Sequence, residues 1–256
     1  MRKVVHELER RITDIHMHIV PNVDDGAADM EMALDMLQIA YEQGVRDIFC
    51  TSHNAYDNNE IKRYYSQLTM LQMMAKSKFH DLELHAGCEL LCSGNYIDDI
   101  LHGLERGIYL PLGNSKYVLT ELHTDTTSAE AKQIAWALIK SGWKPILAHV
   151  ERYPNLFDER TIQDLLYLGT KIQVNLYSLA EERNTGVKER ARYLVLNQYA
   201  HFVGSDAHRS NHRPPSIKSG VNYIYENCDK YIADAICCNN AEHLLLGADQ
   251  YNAMRK

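Results

Sequence analysis

Apolar and polar positions along the chain change period many times, and each change marks an element. Residues 12–16, with β-branched Ile12, Thr13 and Ile15, predict a strand. Met30, Ala33, Leu34, Leu37, Ala40 and Tyr41 then recur at helical spacing, with Asp29 placed as a cap and Gly44 as a stop. The same reading predicts strands over 46–51, 82–88, 117–122, 145–150, 171–175 and 201–204. Helices are predicted over 60–76, from Thr127 to Gly142, from 159 to Gly169 and over 187–198. Thr127 and Glu130 form a T-x-x-E capping box. Residues 102–114 carry glycines and predict a surface loop, and the part from Pro215 on predicts mostly helix.

Seven strands separated by helices predict a parallel sheet in an α/β fold. Their even spacing favours closure into a distorted seven-stranded (β/α)7 TIM-like barrel over an open sheet. In such barrels the active site gathers at the C-terminal ends of the strands, where the βα loops lie. No repeat or linker interrupts the pattern, so residues 1–256 are expected to form a single domain.

Composition narrows the function. The chain has 256 residues, 45% of them hydrophobic, enough for one large core. A formal charge of -7, without long blocks of one sign, argues against nucleic acid or an anionic membrane as partner. Residues 1–11 are charged and lack the apolar stretch of a signal peptide, and no apolar run approaches the ~20 residues of a membrane helix. A cytoplasmic protein is therefore expected. The six cysteines form no C-x-x-C pair and are expected to be reduced and mostly buried. None is followed six positions later by arginine, which excludes the usual cysteine-based phosphatase cradle.

Position gives the histidines their meaning. His16, His18 and Asp25 follow the first predicted strand, His53 the second, Glu89 the third and Glu121 the fourth. His149 follows the fifth, and Asp206 and His208 the seventh. All nine are donors of the kind that bind zinc, manganese or iron, and the H-x-H spacing turns two imidazoles the same way. His6, His80, His85, His102, His123, His201 and His243 lack such partners and read as surface or structurally satisfied histidines. Burying four carboxylates and five imidazoles together without cations would be severely unfavourable.

These residues resemble a known family. Asp14-Ile15-His16-Met17-His18 resembles the D-x-H-x-H motif of the PHP (polymerase and histidinol phosphatase) family. Asp24-Asp25-Gly26, Thr51-Ser52-His53, Gly87-Cys88-Glu89, residues 148–153 (Ala-His-Val-Glu-Arg-Tyr), Ser205-Asp206-Ala207-His208 and Arg213-Pro214-Pro215 are similar to its manganese-dependent bacterial protein-tyrosine phosphatase branch. The resemblance implies a trinuclear site. One metal would be held by His16, His18, Glu89 and Asp206, a second by Glu89, Glu121 and His149, and a third by Asp25, His53 and His208. It implies manganese, with iron or zinc suited to the same donors. It also implies that Arg152 and Arg213 stabilise the transition state, a role guanidinium fits by its permanent charge and bidentate grip on phosphate. Residues 1–11 stand outside the resemblance as an N-terminal extension.

Four ligand carboxylates contribute -4 and three divalent ions +6, so the loaded cluster would carry +2 in a net acidic protein and attract a phosphate dianion. Asn175 and Ser178, at the end of 171–175, are placed either to hydrogen-bond the ligands or simply to line a polar loop. The implied substrate is protein phosphotyrosine, and the implied partner is a bacterial tyrosine autokinase of capsule or exopolysaccharide export, which would recruit the enzyme to the inner membrane surface. Two other readings stay open: a PHP phosphoesterase for a small molecule such as histidinol phosphate, and a non-catalytic metal-binding regulator.

Overall fold

Seven stretches rich in β-branched and other apolar residues form the strands, and each is followed by a helix or tight turn that returns the chain to start the next. The computed structural model describes residues 11–53 and 57–245, so most of the N-terminal extension lies outside the described residues. The strands are β1 (Ile12–Met17), β2 (Val45–His53), β3 (Glu83–Cys92), β4 (Tyr117–Leu122), β5 (Lys144–Leu147), β6 (Lys171–Asn175) and β7 (Phe202–Gly204). They lie in sequence order, and every neighbouring pair is parallel. β1 is buried along its whole length, as a parallel strand covered on both faces must be.

β7 returns to β1 and nearly closes the barrel. Met17 bridges Ala207, Asp206 N–H donates to His16 C=O (2.7 Å), and His18 N–H donates to Ala207 C=O (2.9 Å). The seam is pinned by Asp14, whose Oδ1 accepts from the backbone of Ser205 (2.8 Å) and of His16 (3.1 Å). A fully buried carboxylate resists ionisation, and burial pushes Asp14 up to about 6 despite these bonds.

The helices cover the outside: α1 (Met30–Glu42), α2 (Asn58–Lys78), α3 (Ile97–Glu105), α4 (Ser128–Lys140), α5 (Glu159–Leu168), α6 (Thr185–Leu196), α7 (Lys218–Asn227) and α8 (Lys230–Cys237). Asp29 caps α1 through Met32 N–H, and Gly169 ends α5 at φ 104°. A main core lies between sheet and helices. A second cluster takes Ile15, Phe49, Leu119, Ile146 and Phe202 from five strands, with Leu112 and Leu244. Each of these strand residues precedes a candidate ligand, so the cluster plugs the barrel below the mouth. No helix among the described residues is long and apolar enough to cross a membrane.

Three sequence expectations change. The surface loop expected over 102–114 starts inside α3, and its later part is no surface loop either. Leu110 and Leu112 are buried, and Gly113 N–H donates to Ala86 C=O (2.8 Å). The strand expected over 145–150 stops at Leu147, because His149 takes the left-handed φ of 34° and the chain turns into a 3-10 segment, Val150–Arg152. The capping box forms only by half: Thr127 accepts from Glu130 N–H (3.3 Å), while the Glu130 carboxylate reaches Gly94 N–H instead.

Candidate metal centre

The mouth of the barrel is built by strand ends. β1 carries His16 and His18 to its rim, both fully buried. The loop after it turns at Gly26, where a Cβ would stand 2.1 Å from the His18 carbonyl oxygen, so only glycine lets the loop fold back onto β1. β2 and β3 are in register with His53 opposite Glu89, and Glu121 lies near the end of β4. His149 follows β5, and Asp206 and His208 follow β7.

All nine candidate ligands from the sequence meet here. His18, Asp25, His53 and His208 each offer a donor atom within 4.8 Å of one another, and so do His16, Glu89 and His149. His16, His18 and Asp206 form a further such group, as do His53, Glu89 and Glu121. Glu89 is the hub. Its Oε1 lies 3.3 Å from His16 Nε2 and 3.0 Å from His149 Nε2, and its Oε2 lies 3.2 Å from His18 Nε2. Glu121 Oε1 is 3.5 Å from His149 Nε2. The geometry also draws His18 toward the outer group and His53 toward Glu89 and Glu121, contacts that the resemblance does not imply. Asp25 and His53 are the solvent-facing members, with 65% and 41% of their side chains exposed.

The donors fit a cation. His18 gives its Nδ1–H to Asp24 (2.8 Å), so in the neutral ring the Nε2 lone pair faces the Glu89 carboxylate at 3.2 Å. Lone pair against carboxylate is repulsive unless a proton or a cation lies between them. Without a cation, a proton would have to do this. Burial opposes charge on His18, yet Asp24 and Glu89 outweigh it and hold the imidazole well above its ordinary value. Glu89 is correspondingly held well below the carboxylate range against its burial, by His16 above all. Glu121 is pushed up to about 7 by burial and by Glu89. His208 is pushed down to about 4 by burial and by the neighbouring charges of His18 and Arg213.

Arg152 and Arg213 converge on the same carboxylate. Arg152 Nη1 is 3.2 Å from Asp206 Oδ2, and Arg213 Nη2 donates to that oxygen as well. Arg152 also donates to the Tyr177 hydroxyl (2.6 Å), and Arg213 Nη1 lies 3.3 Å from His208 Nε2. Both side chains stay partly exposed, 28% and 35%. Asn175 donates to Asp206 (2.9 Å), whereas Ser178 donates to the buried Glu151 (2.7 Å), next to Arg152, and touches no candidate ligand directly.

Sequence reasoning quoted Asp24 but gave it no role; here it orients His18 and accepts from His53 N–H (2.9 Å). It likewise quoted Tyr153 only within a motif, though its hydroxyl lies 3.2 Å from His149 Nδ1, and it missed Gln173, which meets His16 Nδ1 at 3.3 Å. Of the histidines set aside, His85 pairs with Asp47 (2.9 Å), and His201 donates to the Tyr199 carbonyl. His6 lies outside the described residues.

Known proteins are similar to this chain over most of its length. Residues 12–246 match the family described as "Capsular polysaccharide synthesis, CpsB/CapC". Tyrosine-protein phosphatase CpsB of Streptococcus pneumoniae is 30% identical over 241 residues, covering 91% of this chain and 98% of that protein. Tyrosine-protein phosphatase YwqE of Bacillus subtilis is 31% identical over 198 residues, covering 76% of each. A solved structure from work on YwqE and CpsB, described there as "unique metal-dependent tyrosine phosphatases", superposes with a TM-score of 0.80 at 27% identity, covering 91% of this chain and 94% of the other. A lactonase of Listeria monocytogenes, 10% identical with a TM-score of 0.57, shares the barrel alone.

Fold and site together define a phosphatase of α/β-barrel build with a candidate metal pocket at its strand ends. Its match extends over nearly the whole described chain and takes in every motif at the mouth. The chain belongs to the CpsB/CapC family.

Proposed function

We propose that the chain hydrolyses phosphotyrosine in proteins, with three divalent cations, manganese first among them, held by His16, His18, Asp25, His53, Glu89, Glu121, His149, Asp206 and His208. The observation that carries this reading is the gathering of all nine donors into four overlapping groups, with two guanidiniums fixed beside them on Asp206. When bound, the cations would supply Lewis acidity toward water and phosphoryl oxygen.

The chain's own residues do the rest. Arg152 and Arg213 hold the non-bridging phosphoryl oxygens and stabilise the charge that grows on them. Asp206 keeps both guanidiniums aimed at one point, so neither has to reorganise during the reaction. Asp25 and His53, exposed at the rim, mark the side from which a protein-borne side chain enters. Phenolate leaves readily, and no general acid is assigned.

The kinship with capsule-synthesis proteins supports a phosphotyrosine-bearing autokinase of capsule or exopolysaccharide export as the natural partner, which would bring this enzyme to the inner membrane surface. The test is a phosphatase assay on chelated protein, with single metals added back, on a phosphotyrosine peptide, histidinol phosphate and an oligonucleotide. We expect manganese to restore hydrolysis of the peptide above the other two. Undiminished activity after chelation, or faster turnover of histidinol phosphate, overturns the reading.

A further inference from the structure

β6 carries none of the nine candidate ligands, yet it sends two amides toward the pocket. Gln173 and Asn175 are both fully buried. A buried amide must recover its lost hydration from fixed partners. Gln173 Oε1 lies 2.8 Å from the backbone nitrogen of His149 and 3.3 Å from His16 Nδ1. Gln173 Nε2 lies 2.8 Å from Asn175 Oδ1, and Asn175 Nδ2 lies 2.9 Å from Asp206 Oδ2.

One fact orders this chain of contacts. A backbone N–H only donates, so the atom facing His149 is the oxygen of Gln173. The amide nitrogen of Gln173 therefore donates to Asn175, whose facing atom must be oxygen. The Asn175 nitrogen then faces Asp206, whose carboxylate accepts. His16 Nδ1, against the same glutamine oxygen, must carry a hydrogen. In the neutral ring its Nε2 then holds the lone pair, 3.3 Å from Glu89 and 3.6 Å from Asp206. Gly204 on β7 lets the network sit this close, since a Cβ there would stand 2.6 Å from His16 Cβ and 3.2 Å from Gln173 Nε2.

We propose that Gln173 is the positioning residue of the pocket. One uncharged side chain sets the hydrogen on His16, steers Asp206 through Asn175 and anchors the left-handed bend at His149. It reaches three candidate ligands, on β1 and in the turns after β5 and β7, and adds no charge to a site already holding four carboxylates. The inference rests on the cation-binding reading above only in its consequence for affinity; the hydrogen on His16 is a property of the metal-free protein.

The test uses the full chain. Spectra of 15N-histidine in metal-free protein, taken at a pH high enough that the His16 shifts are those of a neutral ring, report which of its nitrogens bears hydrogen, and calorimetry reports manganese affinity. We expect Nδ1–H in the unmodified protein, a mixture of tautomers in Q173L, and a 10- to 100-fold loss of manganese affinity in Q173L. Q173E keeps an acceptor for His16 and is expected to retain Nδ1–H. N175L cuts only the arm to Asp206, and is expected to retain Nδ1–H while losing affinity. Should Q173L fail to fold, these two carry the test. Retention of Nδ1–H in folded Q173L, its loss in Q173E, or full affinity in N175L overturns the proposal. If the unmodified protein binds no manganese, the functional reading fails by itself, and the hydrogen on His16 still decides the role of Gln173.

Discussion

Arg213 sits at φ 55°, in the left-handed region, with its guanidinium against Asp206 and His208. A non-glycine residue held there stores strain that its surroundings must offset. Replacing it with alanine should lower kcat by roughly 10²-fold, the scale for losing one preorganised donor, and leave bound metal unchanged. Metal analysis beside steady-state kinetics checks this, and loss of metal would make Arg213 a structural support of the cluster instead. Gly26→Ala should destabilise the fold by about 1–3 kcal/mol, read by urea denaturation, because the new Cβ meets the backbone of His18 rather than a movable side chain. That the nine candidate donors would gather at one place was legible in the sequence, because they recur at the ends of successive strands. Asp24 and Gln173 were not, because what they do depends on which ring nitrogen they meet, and that is decided by backbone turns and by strands far apart in the chain.

At the scale of elements, the strands were legible because buried parallel strands are continuous apolar runs. α3 was hidden although Ile97, Ile100, Leu101 and Leu104 have helical spacing. Gly103 read as a loop marker; in the fold it is a helical residue that makes room for the ring of Tyr109, which a Cβ would approach to 2.3 Å. This reverses an ordinary expectation. Gly→Ala within a helix usually gains up to about 1 kcal/mol, but Gly103→Ala should lower the thermal midpoint, and a raised midpoint would mean that the ring yields. The early end of β5 was likewise illegible, since it depends on His149 taking a backbone conformation that nothing local announces.

For the whole molecule, the barrel's mouth gathers charges that a cation would neutralise, so metal should stabilise the native state by mass action. Chelation is expected to lower the thermal midpoint, and manganese to restore it in a concentration-dependent way; a midpoint indifferent to both would separate the metal from the fold. Away from the mouth, burial and the nearby charge of Lys171 push His201 down to about 4. The unfolded chain takes up a proton there below about 6.5 that the folded chain refuses, so stability falls as pH drops from about 6.5 to 4. His201→Gln should flatten the thermal midpoint against pH across that window, and an unchanged slope would remove His201 as a cause.

Closure of β7 onto β1 has one more consequence. Asp206 and His208 join His16 and His18 only after nearly two hundred intervening residues have been made. A nascent chain leaving the ribosome therefore carries an incomplete set of the candidate donors until β7 and the turn after it emerge, and a product truncated before that strand is expected to cleave no phosphate.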